Sequence, residues 1–238
     1  MIDPRVRALL PYAVLTALHL LCLATEARTA ADVLQVTLMP ALGYALVRLY
    51  PRTGDARLLR LTTWALVFSW LGDTIPRFLS GDPAFGAMIG SFLVAQCCYI
   101  AAFKPRISTS IVHRRRPLLT PYAVAFVVLL GLCVPAAGVL APAVVVYGCS
   151  LAAMGILATG LNRLTWIGGA IFMASDALIA LDAFDVWTQP GHDLWVMSTY
   201  CLAQLFLVLG IVGIGSGYDA EQHREHSDRD GRRARLAG

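Results

Sequence analysis

The sequence predicts an all-α fold: a polytopic transmembrane helical bundle of about eight helices. Hydrophobic residues make up 58% of the 238 residues and charged residues 14%, whereas soluble domains carry about 25% charged residues. A chain this apolar cannot hide its surface in one core, so lipid must solvate much of it. We expect a single transmembrane domain over residues 1–218. A polar, disordered cytoplasmic tail is predicted over 219–238.

Eight stretches of the chain have the roughly 20 mostly apolar residues that a membrane-spanning helix needs. The connections between them are short, which predicts that successive helices run in opposite directions. The predicted spans, numbered 1 to 8, cover residues 8–25, 30–50, 58–79, 83–103, 118–138, 141–160, 164–186 and 193–214.

The basic residues predict the orientation of the chain. The connections after spans 1, 3, 5 and 7 hold only Arg28 and Arg77 of the 19 Lys and Arg residues. The positive-inside rule then places both termini in the cytoplasm. We interpret the arginine run 114–116 as an anchor at anionic headgroups rather than a nucleic-acid site. High Arg and Ala usage points to a bacterial cell membrane.

The two halves of the chain, 1–110 and 111–218, share short motifs in the same order. Pro-Tyr-Ala-Val occurs in spans 1 and 5, Arg-Leu-Thr opens spans 3 and 7, and Ala-Gln lies in spans 4 and 8. These echoes predict two parallel four-helix repeats related by an axis along the membrane normal. Asp73 and Asp176, equally far after Arg-Leu-Thr, would then lie at matching depth and face one another. Chance similarity between apolar segments is the alternative.

Asp73 and Asp176 are the deepest acidic residues in the predicted spans. An ionisable group in a span costs about 2.5–3.5 kcal/mol on insertion scales, so it usually faces the bundle interior and serves a function. The alternative is a carboxylic acid that only joins helices by hydrogen bonds. Neighbouring polar side chains predict a cluster around the pair, near the midplane and extending outward. Its supporting members are Ser69, Gln96, Tyr99, Ser175, Tyr200, Gln204 and Tyr44.

The sequence lacks the residues that several classes of hydrolase need. Of the five histidines only His19 lies in a span, whereas a zinc hydrolase needs about three ligands and a serine protease needs a Ser–His pair. We expect no metal and no cofactor. Two buried carboxyl groups suit acid–base work, because a low dielectric favours the protonated form and one of the pair can donate a proton while the other activates water. That chemistry fits an acid-labile substrate that reacts through a stabilised cation.

Three segments resemble motifs of the YhhN-like lysoplasmalogenase family. Residues 68–73 (Phe-Ser-Trp-Leu-Gly-Asp) resemble its Gly-Asp motif, residues 172–176 (Phe-Met-Ala-Ser-Asp) its Ser-Asp motif, and residues 200–204 (Tyr-Cys-Leu-Ala-Gln) its closing Tyr-x-x-Ala-Gln motif. Their order and spacing, the chain length and the eight-span layout are also similar, so the resemblance covers nearly the whole chain.

The resemblance implies hydrolysis of the vinyl-ether bond of lysoplasmalogens, which gives a fatty aldehyde and a glycerophospho-ethanolamine or -choline. It implies a lysophospholipid substrate among membrane lipids. Asp73 and Asp176 would divide the acid and base roles, without the sequence saying which is the acid. Tyr200 and Gln204 would hold water or the headgroup side of the substrate.

The chain departs from its relatives at two places. Relatives often carry Lys-Pro where this chain has Met39-Pro40, and His where it has Gln96. One alternative function is therefore a catalytically inactive, lipid-binding member. Another is a proton-coupled transporter or lipid carrier, since paired carboxylates and parallel repeats also occur in transporters. No nucleic-acid partner is expected, and the oligomeric state is left open.

Overall fold

The computed structural model describes the backbone of residues 3–236 and the side chains of residues 3–216 other than Asp82. The described backbone forms helices and no strand, which confirms the predicted all-α bundle. Short helices of one or two turns at 75–78, 104–109, 111–114, 116–118 and 138–140 lie in the connections. The eight long helices are α1 (Pro4–Ala24), α2 (Arg28–Leu49), α3 (Ala56–Thr74), α4 (Asp82–Phe103), α5 (Leu119–Cys133), α6 (Ala141–Ala158), α7 (Arg163–Ala183) and α8 (His192–Leu236).

Seven of the eight long helices within the described chain are long and apolar enough to cross a membrane, which makes this an integral membrane protein. The exception is α3. The sequence predicted eight spans, whereas length and composition support seven among the described helices. The reason lies in the α3 sequence, where Arg57, Arg60 and Asp73 interrupt an apolar helix of 19 residues.

The helix ends differ from the predicted spans in a way that matters for the site. Span 3 was predicted over 58–79, but α3 ends at Thr74 and a one-turn helix over Ile75–Phe78 follows. Pro76 lies in that turn and has no backbone N–H to continue the α-helical hydrogen bonds. Asp73 therefore lies one residue before the end of α3. Asp176 lies further inside α7, seven residues before its end at Ala183.

Side-chain caps fix where several helices begin. The Asp3 carboxylate accepts a hydrogen bond from the backbone N–H of Arg5 at 2.7 Å and caps α1. Asp55 caps α3 by accepting from the backbone N–H groups of residues 57 and 58. Asn162 and Thr165 form a reciprocal capping box at the start of α7. Each cap satisfies backbone donors that a helix cannot pair internally.

The bundle is built around α8. This helix packs along α7 and also contacts α1, α2 and α3. The pair α3–α4 has a similarly long contact, and α4 joins the two halves of the chain by packing on α6. The helix α5 lies at the edge of the bundle, and Cys133 is its one buried residue. The two-repeat organisation and the cytoplasmic termini stay predictions. The predicted tail over 219–238 lies beyond the described side chains, and the backbone of its residues up to Leu236 belongs to α8.

The α7–α8 contact is close because glycine allows it. A Cβ atom on Gly168 would lie 2.9 Å from the backbone nitrogen of Leu207 and 3.0 Å from the carbonyl oxygen of Ala203. Both neighbours are backbone atoms, which cannot turn away as a flexible side chain can. Small residues at such crossings are what lets membrane helices approach one another.

We predict that Gly168→Ala destabilises the protein by about 1–3 kcal/mol, since overpacking forces the backbones apart. The matched control is Gly213→Ala on α8, where a Cβ would meet nothing within 4 Å. That control should be neutral, or more stable by up to about 1 kcal/mol through helix propensity. The measurement is the midpoint of thermal unfolding in detergent, followed by circular dichroism. Equal midpoints for the two variants would contradict the close packing.

Candidate functional site

A cavity of about 380 Å³ lies at the end of the bundle where α3 ends and α2 and α8 begin. Six helices contribute to its walls: α1 to α4, α7 and α8. Asp73 and Asp176 both line it, so the structure brings the two predicted catalytic carboxyl groups to one chamber. Asp176 is buried and Asp73 is partly buried.

The Asp73 carboxyl group accepts a hydrogen bond on each of its two oxygens. The Tyr200 hydroxyl on α8 donates to Oδ2 at 2.8 Å, and the Gln35 amide on α2 donates to Oδ1 at 3.3 Å. Arg77 also donates from Nε to the backbone carbonyl oxygen of Asp73 at 3.0 Å. Asp73 thus lies among donors from three parts of the chain.

The Asp176 carboxyl group receives its two hydrogen bonds differently. The Tyr147 hydroxyl on α6 donates to Oδ2 at 2.6 Å, and the Gln96 amide on α4 donates to the same oxygen at 3.3 Å. Within the described chain, Oδ1 accepts no hydrogen bond. The two carboxyl groups therefore have the same kinds of donor, one tyrosine and one glutamine each, but only Asp176 has an unoccupied oxygen.

Each glutamine is held so that its NH2 group points at the carboxyl group. The Oε1 atom of Gln35 accepts from the Arg77 guanidinium, and the Oε1 atom of Gln96 accepts from the Ser150 hydroxyl. An amide whose oxygen is already paired presents its nitrogen on the other side. Arg77 and Ser150 are therefore positioning residues that act through the glutamines.

Gln204 on α8 links α3 and α4 through hydrogen bonds, and its partner on α3 lies one helical turn before Asp73. Its Nε2 donates to the Ser69 hydroxyl on α3 at 3.0 Å, and its Oε1 accepts from the Tyr99 hydroxyl on α4 at 2.7 Å. All three side chains are fully buried. Since these residues do not line the described cavity, we assign them to support of the site rather than to direct contact with a substrate.

The structure separates two further predicted residues from the carboxyl groups. Ser175 is buried, and its hydroxyl donates to the backbone carbonyl oxygen of Val196 at 3.0 Å, which ties α7 to α8. Tyr44 is 51% exposed on α2 and lies near Arg48, so it does not join the cluster. Its position in a predicted span gave no information on which face of the helix it occupies.

Four residues that contact the two aspartates or their glutamine partners were not predicted from the sequence. Gln35 and Arg77 hold the Asp73 side, and Tyr147 and Ser150 hold the Asp176 side. One signal was available: Arg77 is one of only two basic residues in the odd-numbered connections. The pair on α6 lies in an apolar stretch where nothing marks it before α4 and α7 are placed beside it.

Charged side chains surround the mouth of the cavity. The Arg77 guanidinium pairs with Asp32 on α2. Arg28 lies 3.6 Å from the Asp193 carboxylate at the start of α8. His192, which also lines the cavity, lies 3.6 Å from Asp182 on α7. The mouth therefore offers both positive and negative groups, whereas the charged groups of the deeper wall are the two carboxyl groups.

An aromatic group forms the inner wall. The ring of Phe92 meets the rings of Tyr200 and Phe172 edge to face, with centroids 5.7 Å and 6.5 Å apart. Gly72 makes room for Phe92, because a Cβ atom on that glycine would lie 2.7 Å from the ring. Edge-to-face packing of this kind holds each ring in one orientation.

The described residues contain no group of three or more His, Cys, Asp or Glu side chains that could hold a metal ion. The arrangement can nevertheless transfer protons, since two carboxyl groups line one cavity and each accepts a hydrogen bond from a tyrosine hydroxyl.

Comparison with known proteins gives one match. The profile of the YhhN family matches residues 9–211, which is most of the chain. No curated protein and no solved structure matches it.

We predict that Tyr99→Phe destabilises the protein by about 1–3 kcal/mol, because it leaves the buried Gln204 oxygen without its donor. Tyr44→Phe removes the same hydroxyl from an exposed position and should change stability by less than about 0.5 kcal/mol. Unfolding midpoints in detergent, compared with the wild type, give both values. A Tyr99→Phe variant as stable as Tyr44→Phe would contradict the assignment of Gln204 as a supporting centre.

Proposed function

We propose that this chain, which belongs to the YhhN family, is a membrane-embedded hydrolase that cleaves the vinyl-ether bond of lysoplasmalogens. The YhhN family includes lysoplasmalogenases. The products would be a fatty aldehyde and a glycerophospho-ethanolamine or -choline.

One observation carries the proposal: two carboxyl groups from different helices line one cavity and are hydrogen-bonded unequally. Asp73 accepts donors on both oxygens, which favours the ionised form. Asp176 receives both donors on Oδ2 and is free to carry a proton on Oδ1. We therefore assign Asp176 as the general acid and Asp73 as the general base.

The reaction begins with proton transfer to carbon. Asp176 gives its proton to the vinyl carbon that is farther from the ether oxygen, and the electron pair of the C=C bond forms the new C–H bond. The ether oxygen shares a lone pair with the neighbouring carbon, which gives an oxocarbenium ion. The Asp176 carboxylate and the Asp73 carboxylate both stabilise this cation, since opposite charges attract strongly where water is scarce.

Water then completes the hydrolysis. Asp73 takes a proton from a water molecule as the water oxygen bonds to the cationic carbon, and a hemiacetal forms. Protonated Asp73 next gives that proton to the glycerol oxygen as its C–O bond breaks. Asp176 accepts the proton of the hemiacetal hydroxyl, and the aldehyde is released. Both carboxyl groups return to their starting protonation states, and one water is consumed.

The two departures from relatives can be placed in this scheme. Gln96, where relatives often have His, donates to the proposed acid and is itself oriented by Ser150. It holds the carboxyl group without offering a proton of its own to the reaction. Met39 is buried in the core of the bundle and lies outside the described cavity.

We predict that Asp73→Asn and Asp176→Asn each lower kcat about 10²–10⁴-fold, the range that a general acid or base contributes. Asp185→Asn is the matched control, since this exposed aspartate lies outside the described cavity and its positive φ suits asparagine. Aldehyde release from lysoplasmalogen in detergent gives the rates. Wild-type rates in both site variants, or proton-driven lipid uptake in vesicles without hydrolysis, would overturn the proposal.

Protonation at carbon makes a second prediction. Hydrolysis in deuterium oxide should place one solvent deuterium on the carbon next to the aldehyde carbonyl, and a primary solvent isotope effect should slow the reaction. Immediate reduction of the aldehyde to the alcohol, followed by mass spectrometry, prevents later exchange. Aldehyde without deuterium at that carbon would exclude the acid role assigned to Asp176.

A further inference from the structure

Asp176 lies where the polar cavity meets a second, apolar space. This crevice, of about 50 Å³, lies between α4, α6 and α7. It shares Met88, Phe92, Asp176 and Ile179 with the polar cavity, so the two spaces have a common wall. The proposed acid is thus the one carboxyl group that lines both.

The two spaces differ in chemistry. Charged and amide side chains line the cavity on the side away from the crevice, among them Asp32, Gln35 and Arg77. The crevice is lined on its far side by Phe85, Ile89, Val144, Ala180 and Phe184. A molecule that occupied both would need a polar end and an apolar end, with Asp176 at the junction.

We propose that the crevice is the binding site for the hydrocarbon chain of a single-chain lipid whose polar end occupies the cavity. The bond next to the chain would then lie at Asp176. This inference rests on the proposed function for the identity of the reacting bond, but chain binding itself does not depend on turnover. This occupant fits because the crevice is continuous with the polar cavity through four shared residues.

The size of the crevice limits what it holds. A volume of about 50 Å³ accommodates only the first few carbons of a chain. Phe85 and Phe184 narrow it on the side away from the cavity, with their rings edge to face and centroids 6.0 Å apart. The crevice therefore selects for a slender, flexible apolar group directly beside the junction.

A different apolar groove on the bundle provides a control. It has a volume of about 440 Å³ and lies between α5, α6 and α7. Its lining includes Ala174 but neither Asp73 nor Asp176. Ala174 and Ala180 are both on α7, and only Ala180 lines the crevice. A phenylalanine at one position or the other therefore fills one space and leaves the second unchanged.

The binding experiment uses two probes with purified protein in detergent: a non-cleavable alkyl-ether lysophosphoethanolamine, and glycerophosphoethanolamine, which has no chain. We expect Ala180→Phe to weaken lipid binding at least tenfold and to leave binding of the chainless probe unchanged. Ala174→Phe should leave both at wild-type values. Wild-type lipid affinity in Ala180→Phe, or a loss in Ala174→Phe instead, would overturn the inference.

A labelling experiment on the wild-type protein covers the case in which Ala180→Phe does not fold. An alkyl-ether lipid with a diazirine on one of its first chain carbons is photolysed in the complex, and the labelled peptides are sequenced. Label is expected on α4 and α6 at Phe85, Ile89 or Val144. Label confined to α5 would contradict the inference. If lipid binds as expected but no aldehyde forms from lysoplasmalogen, the proposed function fails while the chain site stands.

Discussion

A polar side chain inside a membrane bundle must find its hydrogen-bond partners within the protein, because lipid offers none. This constraint organises the centre of the molecule. Asp73 and Asp176 take their donors from α2, α4, α6 and α8, so four helices are held in register by two carboxyl groups. The donors are themselves paired: Arg77 orients one glutamine and Ser150 the other. The same hydrogen bonds therefore position the two acidic side chains and hold the helices together.

The settings of the two carboxyl groups mirror each other. Asp73 takes its tyrosine from α8 and its glutamine from α2, whereas Asp176 takes its glutamine from α4 and its tyrosine from α6. If the chain arose by duplication, as the repeated motifs predict, equivalent helices supply the donors in both halves with the residue types exchanged. The exchange leaves one carboxyl group with both oxygens occupied and the other with one free. Two copies of one site would thereby have become the two unlike halves of an acid–base pair.

Sequence alone predicted much of this molecule. Apolar length and short connections gave the helices, and seven of the predicted site residues lie in the hydrogen-bonded groups centred on Asp73, Asp176 and Gln204. The sequence could group these residues because each lies on a helix with a recognisable polar face or motif. Tyr147 and Ser150 could not be predicted, since their helix is apolar on all sides and only its packing shows which face meets Asp176. The end of α3 was missed because an apolar run continues past Thr74, whereas Pro76 ends the regular hydrogen bonding. The prediction that Tyr44 joins the cluster was wrong, because its position in a span does not indicate which neighbour it faces.

Gly72 has a consequence for how such a site can diverge. The Phe92 ring beside it forms part of both the polar cavity and the apolar crevice. Any larger residue at position 72 would push that ring and reshape both chambers in one step. Under the proposed function, evolution of lipid preference is therefore restricted at a position that contributes no reacting group. Gradual change must come instead from residues such as Val144 and Ala180, which line one chamber only and can vary without reshaping the polar cavity beside Asp73.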